Sequence, residues 1–173
     1  EAMKFAEHFD GPIAIRFARG VAFPEIKEDI NLQYGKGQIL KEGSKDGNNA
    51  GGNVAIIAVG SMVEETYKAI DMLEKENVHP AFVNPVFIKP MDTELIKRVA
   101  ENHKHIIVVE EGIKKGGFGE SVETFILESG IDADVQVMAI DDRFVEQGNV
   151  ALLREEIGIS YKNIYEKVME LTR

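Results

Sequence analysis

The 173-residue sequence contains no cysteine, which excludes disulfides, thiolate metal sites and cysteine nucleophiles together. It is also short of positive charge: 20 Lys and Arg against 30 Asp and Glu leave a formal net charge of −10. Nucleic acid or an anionic membrane would be repelled by such a surface, which leaves room only for a local basic pocket holding a small phosphate. No stretch approaches the roughly 18 apolar residues of a membrane span. No charged-then-apolar secretory signal opens the chain. The histidines, His8, His79, His103 and His105, form no His-Glu-x-x-His arrangement, and no serine or aspartate sits in a nucleophile elbow. These absences lead to the expectation of a cytoplasmic globular protein without a catalytic triad.

What is present is a core and a rhythm. Hydrophobic residues make up 44% of the chain and charged residues 29%, the balance of an ordinary folded domain. From about Asn53 onward, strand-like and helix-like segments alternate. Val54-Ala-Ile-Ile-Ala-Val59 and Ile106-Ile-Val-Val109 are continuous apolar runs, the signature of strands covered on both faces. Ala81–Val83 and Val135–Ile140 read as further strands. Between them, Val63, Tyr67, Ile70 and Leu73 recur at helical spacing, as do Leu95, Ile96 and Val99 after the candidate cap Asp92. Ser61 with Glu64 has the pattern of a capping box. Val122, Phe125 and Ile126 mark another helix that Gly130 can end. Val150, Leu153 and Ile157 suggest a short one, and Ser160 can cap a last helix carrying Tyr161, Ile164, Val168 and Leu171. Alternation of this kind predicts a three-layer α/β/α unit with a mostly parallel, twisted sheet over residues 53–173.

The first fifty residues differ. Residues 1–9 read as the tail of an amphipathic helix with Phe5 and Phe9, Gly11-Pro12 as a turn, and Ile13–Phe17 as a strand. One helix end and one strand cannot bury a core alone, so residues 1–20 are expected to be the remnant of a preceding domain. Residues 21–52 are expected to be a connector, with a strand near Gln38–Lys41 and a mobile loop in the polar stretch Ser44–Asn53.

Several residues are candidates for chemistry. Gly112-Ile-Lys-Lys-Gly-Gly-Phe-Gly119 lies between a strand and a helix, where backbone N–H groups hold phosphates or glycines simply allow close packing. It has neither a P-loop nor a dinucleotide spacing. Glu110-Glu111 and Asp141-Asp142 each end a strand, placing them at the sheet's carboxyl edge. There they serve a magnesium ion, proton transfer, helix capping or a partner domain. Arg16 and Arg19 offer planar forks suited to a phosphate or carboxylate, or equally to an inter-domain salt bridge.

Four segments carry a family resemblance. Gly11-Pro-Ile-Ala-Ile-Arg-Phe-Ala-Arg-Gly20 resembles the Gly-Pro-x-Ala-Ile-Arg-Tyr-Pro-Arg-Gly segment of the 1-deoxy-D-xylulose-5-phosphate synthase family. Val83-Asn-Pro-Val-Phe-Ile-Lys-Pro-Met-Asp92 resembles its Val-Asn-Ala-Arg-Phe-Val-Lys-Pro-Leu-Asp. Val109-Glu-Glu-Gly112 with Gly116-Gly-Phe-Gly-Glu-Ser121 is similar to its Val-Glu-Glu-Gly and Gly-Gly-Phe-Gly-Ser turn. Asp142-Arg-Phe-Val-Glu-Gln-Gly148 and Glu155-Glu-Ile-Gly158 resemble its closing segments. They occur in the family's order.

The resemblance implies a transketolase-type enzyme using thiamine diphosphate and magnesium, which decarboxylates pyruvate and adds the two-carbon unit to glyceraldehyde 3-phosphate. This chain would be its carboxyl-terminal domain with the last piece of the pyrimidine-binding domain. It would itself be non-catalytic, bind neither cofactor nor metal, and pair with the missing domains and a second subunit in a homodimer. Arg16 matches an arginine that holds the substrate phosphate. The second phosphate arginine is replaced by Val86, Ala18 replaces a proline, and Gln147 replaces a histidine. Arg19, Glu110, Glu111, Gly116, Gly117, Phe118 and Gly119 are the candidate docking edge. Rival readings are the matching domain of a transketolase or a two-oxoacid dehydrogenase β-subunit, or a free-standing binding or regulatory module.

Overall fold

The computed structural model describes residues 1–18, 32–44 and 51–173. Arg19, Gly20, most of the expected connector and most of the expected mobile loop lie outside the described residues. Helix α1 (Ala2–His8) comes first, followed by β1 (Gln38–Lys41), β2 (Val54–Ala58) and α2 (Met62–Lys75). Strand β3 (Ala81–Asn84), α3 (Thr93–Asn102), β4 (His105–Ile113), α4 (Phe118–Glu128), β5 (Asp134–Ile140), α5 (Val150–Glu156) and α6 (Tyr161–Leu171) complete the order. The five strands form one sheet in the order β1-β3-β2-β4-β5, parallel except for the antiparallel edge strand β1. The sheet thus takes in residues before the expected boundary at 53.

Two-sided burial explains the apolar runs. Along β2, Val54, Ile56 and Ala58 enter one core with Met62, Ile70 and Leu73 of α2 and Ile164 and Val168 of α6. The intervening Ala55 and Ile57 enter the other core, with Leu95 and Val99 of α3 and Phe118, Val122 and Ile126 of α4. Strand β4 alternates in the same way, Ile107 and Val109 against Ile106 and Val108. The α/β/α architecture follows. No helix among the described residues is long and apolar enough to cross a membrane.

Helix starts follow the sequence in two cases and depart from it in a third. Asp92 caps α3 by accepting the Leu95 N–H at 3.1 Å, and it also accepts the Gly37 N–H at 3.0 Å, tying α3 to the segment before β1. Ser160 and Asn163 form a reciprocal capping box at α6. The expected Ser61–Glu64 box is not made. Ser61 is already helical at φ −60° and its hydroxyl donates instead to Glu111 Oε2 at 2.6 Å, while Glu64 pairs with Lys68. With its backbone already in the helical region, Ser61 is not placed to accept the first-turn N–H groups as a capping residue does.

Ile13–Phe17 forms no strand. A strand exists only through ladder bonds to a neighbour, and no described strand lies beside this segment; Phe17 stands 87% exposed.

One buried group stands out. Thr66 of α2 is fully buried, and among the described residues its hydroxyl has no hydrogen-bond partner. An unpaired buried hydroxyl costs roughly 1–3 kcal/mol of desolvation. Thr66→Val, nearly isosteric, is therefore expected to raise stability by about 1 kcal/mol in urea unfolding. A loss of stability would show that the hydroxyl is satisfied in solution.

Candidate functional site

The sheet's carboxyl edge is built around a bulge in β4. Val109 lies opposite Met138 and Ile113 opposite Ile140, so β4 advances four residues while β5 advances two. The extra length carries Glu110, Glu111 and Gly112. Strand alternation continues into this stretch and sends the two carboxylates to opposite sides of the sheet.

Glu110, 6% exposed, turns beneath α4. Its carboxylate accepts the Phe118 N–H at 3.1 Å and the Gly119 N–H at 2.7 Å. These are orphan donors of the helix's first turn, at the positive end of its dipole. The Gly116 N–H is likewise taken by the Glu120 carboxylate. The glycines serve close approach: a Cβ on Gly117 would meet the Ile113 carbonyl oxygen at 2.5 Å, and one on Gly119 would meet Val137 Cγ1 at 2.4 Å. The turn is therefore a packing device. Its anion-binding groups are already occupied from within, so it does not fit the diphosphate of a cofactor.

Glu111 faces the other layer. Arg154 of α5 grips it with two donors, Nε to Oε1 at 3.0 Å and Nη2 to Oε2 at 3.2 Å, beside the Ser61 hydroxyl. A third Arg154 donor reaches Glu65 Oε1 of α2 at 3.4 Å. Glu65 is itself 6% exposed and also receives Lys68 Nζ at 3.1 Å and the Tyr161 N–H at 2.9 Å. This network joins β4, α2, α5 and α6. The acidic pair cannot share a metal ion, because the two carboxylates diverge across the sheet. Asp141 and Asp142 stay exposed. Among the described residues no group of three or more His, Asp or Glu is placed to hold a metal.

Arg16 is exposed and pairs with no other described residue, so its guanidinium fork is open. The structure does not bring it together with Glu110, Glu111 or the glycine turn in any contact. Arg19 lies outside the described residues.

The model of the transketolase carboxyl-terminal domain matches residues 42–164. The chain belongs to the transketolase carboxyl-terminal domain family. It is similar to 1-deoxy-D-xylulose-5-phosphate synthases: 37% identical over 169 residues to that of Alkaliphilus oremlandii, covering 97% of this chain and 26% of the relative. The synthase of Heliobacterium modesticaldum is 34% identical over 171 residues, covering 98% of this chain and 25% of the relative. The chain thus spans about a quarter of the length of these curated relatives. Among solved structures it resembles a split gene transketolase in an inactive beta4 tetramer, with a TM-score of 0.72 and 28% identity, over 84% of this chain and 46% of that one.

In this transketolase-type domain the edge residues singled out from sequence do structural work. Sequence reasoning missed Arg154 and Glu65, which lie 43 and 46 residues from Glu111 along the chain and carry no local motif. It also left aside a set of exposed apolar side chains near the same edge: Ile113, Phe144, Val150 and Leu152.

Partial burial alone would raise the Glu111 carboxyl above its ordinary value. The hydrogen bonds from Arg154 and Ser61 and the Arg154 charge outweigh it, so its carboxyl lies below the ordinary glutamate value of 4.5. A carboxyl depressed by folding lends stability above its unfolded pKa and loses it as pH falls through its folded one. The parent is therefore expected to be more stable than Glu111→Gln at neutral pH, with the gap closing as pH drops from about 4.5 downward. Urea unfolding of both proteins across that range checks it; a gap that is constant with pH would assign the effect to packing.

Proposed function

We propose that this chain acts as the carboxyl-terminal domain of a thiamine-diphosphate-dependent synthase of transketolase type. That enzyme would join a two-carbon unit from pyruvate to glyceraldehyde 3-phosphate, with loss of carbon dioxide. The observation that carries the reading is the match along nearly the whole chain to relatives named as that synthase. Thiamine diphosphate and magnesium would be held by other domains, since in the glycine turn at Gly116–Gly119 the N–H groups of Gly116, Phe118 and Gly119 are filled by Glu110 and Glu120. By itself the chain would be non-catalytic, working in the cytoplasm within a homodimer.

Its contribution to chemistry would be Arg16. The open fork of this exposed arginine supports a role in holding the acceptor's phosphate by charge-assisted hydrogen bonds. In an active enzyme carrying this domain, Arg16→Ala is expected to raise KM for glyceraldehyde 3-phosphate by about ten- to hundredfold, as for one lost charged contact. An unchanged KM would remove Arg16 from the substrate site.

A second reading comes from the solved relative, described as a split gene transketolase. On that pattern, the chain would be a separate subunit that reaches activity only with a partner chain. Both readings share one expectation, checked by titration calorimetry of the 173-residue chain with thiamine diphosphate and magnesium: no binding. Micromolar binding would overturn the assignment of the cofactor to other domains.

A further inference from the structure

Helix α1 spans seven residues and buries none of them. An isolated helix needs roughly 12–15 residues to persist in water, so its order must come from outside. The recorded contacts are aromatic. Phe5 and Phe9, one turn apart, stack with centroids 5.7 Å apart. Phe5 meets the edge of Phe87 at 5.6 Å, Phe9 lies 5.1 Å from Tyr34, and Tyr34 meets Phe87 at 6.0 Å, which closes a ring of four. These separations are those of favourable aromatic pairs.

The two rings on the body are held in place before α1 arrives. Phe87 follows a strained turn: its N–H donates to the Pro85 carbonyl at 2.5 Å, two residues back, and Val86 between them has φ 57°. A β-branched residue in the left-handed region is an outlier that persists only where its surroundings over-determine it. The surroundings are present. Asn84 Oδ1 accepts the Val86 N–H at 3.0 Å, and Pro85 is buried. Tyr34 is positioned by its own turn, where Gly35 has φ 67° and lies so close to Pro90 that a Cβ would come within 2.9 Å of the ring. Just beyond, Gly37 donates to Asp92. Both walls are thus built from the loop between β3 and α3 and the segment leading to β1.

We propose that Tyr34 and Phe87 form a preorganised socket for α1, and that this socket fixes the amino-terminal segment bearing Arg16 on the α/β body. Val86 is the positioning residue: its left-handed backbone aims Phe87 into the ring. The socket stands independently of any role of Arg16 in phosphate binding, since a silent Arg16→Ala variant would leave the docking of α1 untouched.

Hydrogen exchange of the 173-residue chain, followed by NMR at the amides of Phe5–Phe9, tests the proposal. The parent should show protection there. Phe87→Ala should lower it about tenfold or more, while amides of Val54–Ala58 and Ile106–Val109 keep theirs. Val86→Pro, whose ring holds φ near −65°, should reproduce that loss with Phe87 still present. Phe87→Tyr and Val86→Gly, which preserve an aromatic ring and a left-handed backbone, should retain protection. Absent protection in the parent, equal protection in Phe87→Ala and Val86→Pro, or a loss that spreads to β2 and β4 would each overturn the socket.

Discussion

Adjacent residues of a strand point to opposite faces, and at the end of β4 that constraint falls on two carboxylates. Glu110 goes to the α3–α4 layer and Glu111 to the α2–α6 layer, in phase with Val108 and Val109 before them. A buried carboxylate is tolerable only when charge or N–H groups replace its water. The buried Glu110 therefore recruits an element, and the more exposed Glu111 is gripped by a second one. Glu110 draws the amino end of α4 back over the strand that precedes it, which in turn requires glycine at 117 and 119. Glu111 draws Arg154, and with it α5, which buries no residue of its own. The same arginine satisfies Glu65 and so reaches α2 and, through the Tyr161 N–H, α6.

This division explains what was legible in the sequence. The layers were, because two-sided burial writes itself as unbroken apolar runs at Val54–Ala58 and Ile106–Val109. The caps at Asp92 and Ser160 were, because donor and acceptor lie three residues apart. Ser61 has the same local pattern yet bonds to Glu111, 50 residues away. No short window distinguishes a serine that caps its own helix from one claimed by a distant carboxylate. Glu110-Glu111 reads as a paired acid site for the same reason: the sequence shows adjacency, and only the strand's alternation shows divergence. Ile13–Phe17 has a strand's composition but no ladder here, since pairing is a property of two segments and composition a property of one.

The consequence for function is a carboxyl edge at which Glu65, Glu110, Glu111 and Arg154 are engaged from within. Around the carboxyl edge, Glu110, Glu111 and the N–H groups of the glycine turn are committed to holding helices in place, while Asp141 and Asp142 stay exposed. Reactivity of the transketolase type would then have to come from groups outside this edge. Arg16, like Arg98 and Arg143, is exposed and has no side-chain partner among the described residues.

The apolar surface points the same way. Ile113, Phe144, Val150 and Leu152 are exposed around the bulge and α5 while charged neighbours such as Arg154 are turned inward, an inversion of the usual order. The inversion follows from the network: once Arg154 must reach Glu111 and Glu65, the opposite side of a two-turn helix is left to Leu152, while Val150 stays exposed one turn before the arginine. The polar interior and the apolar exterior of this edge are thus two sides of one arrangement, in which Arg154 turns inward to the carboxylates of Glu65 and Glu111.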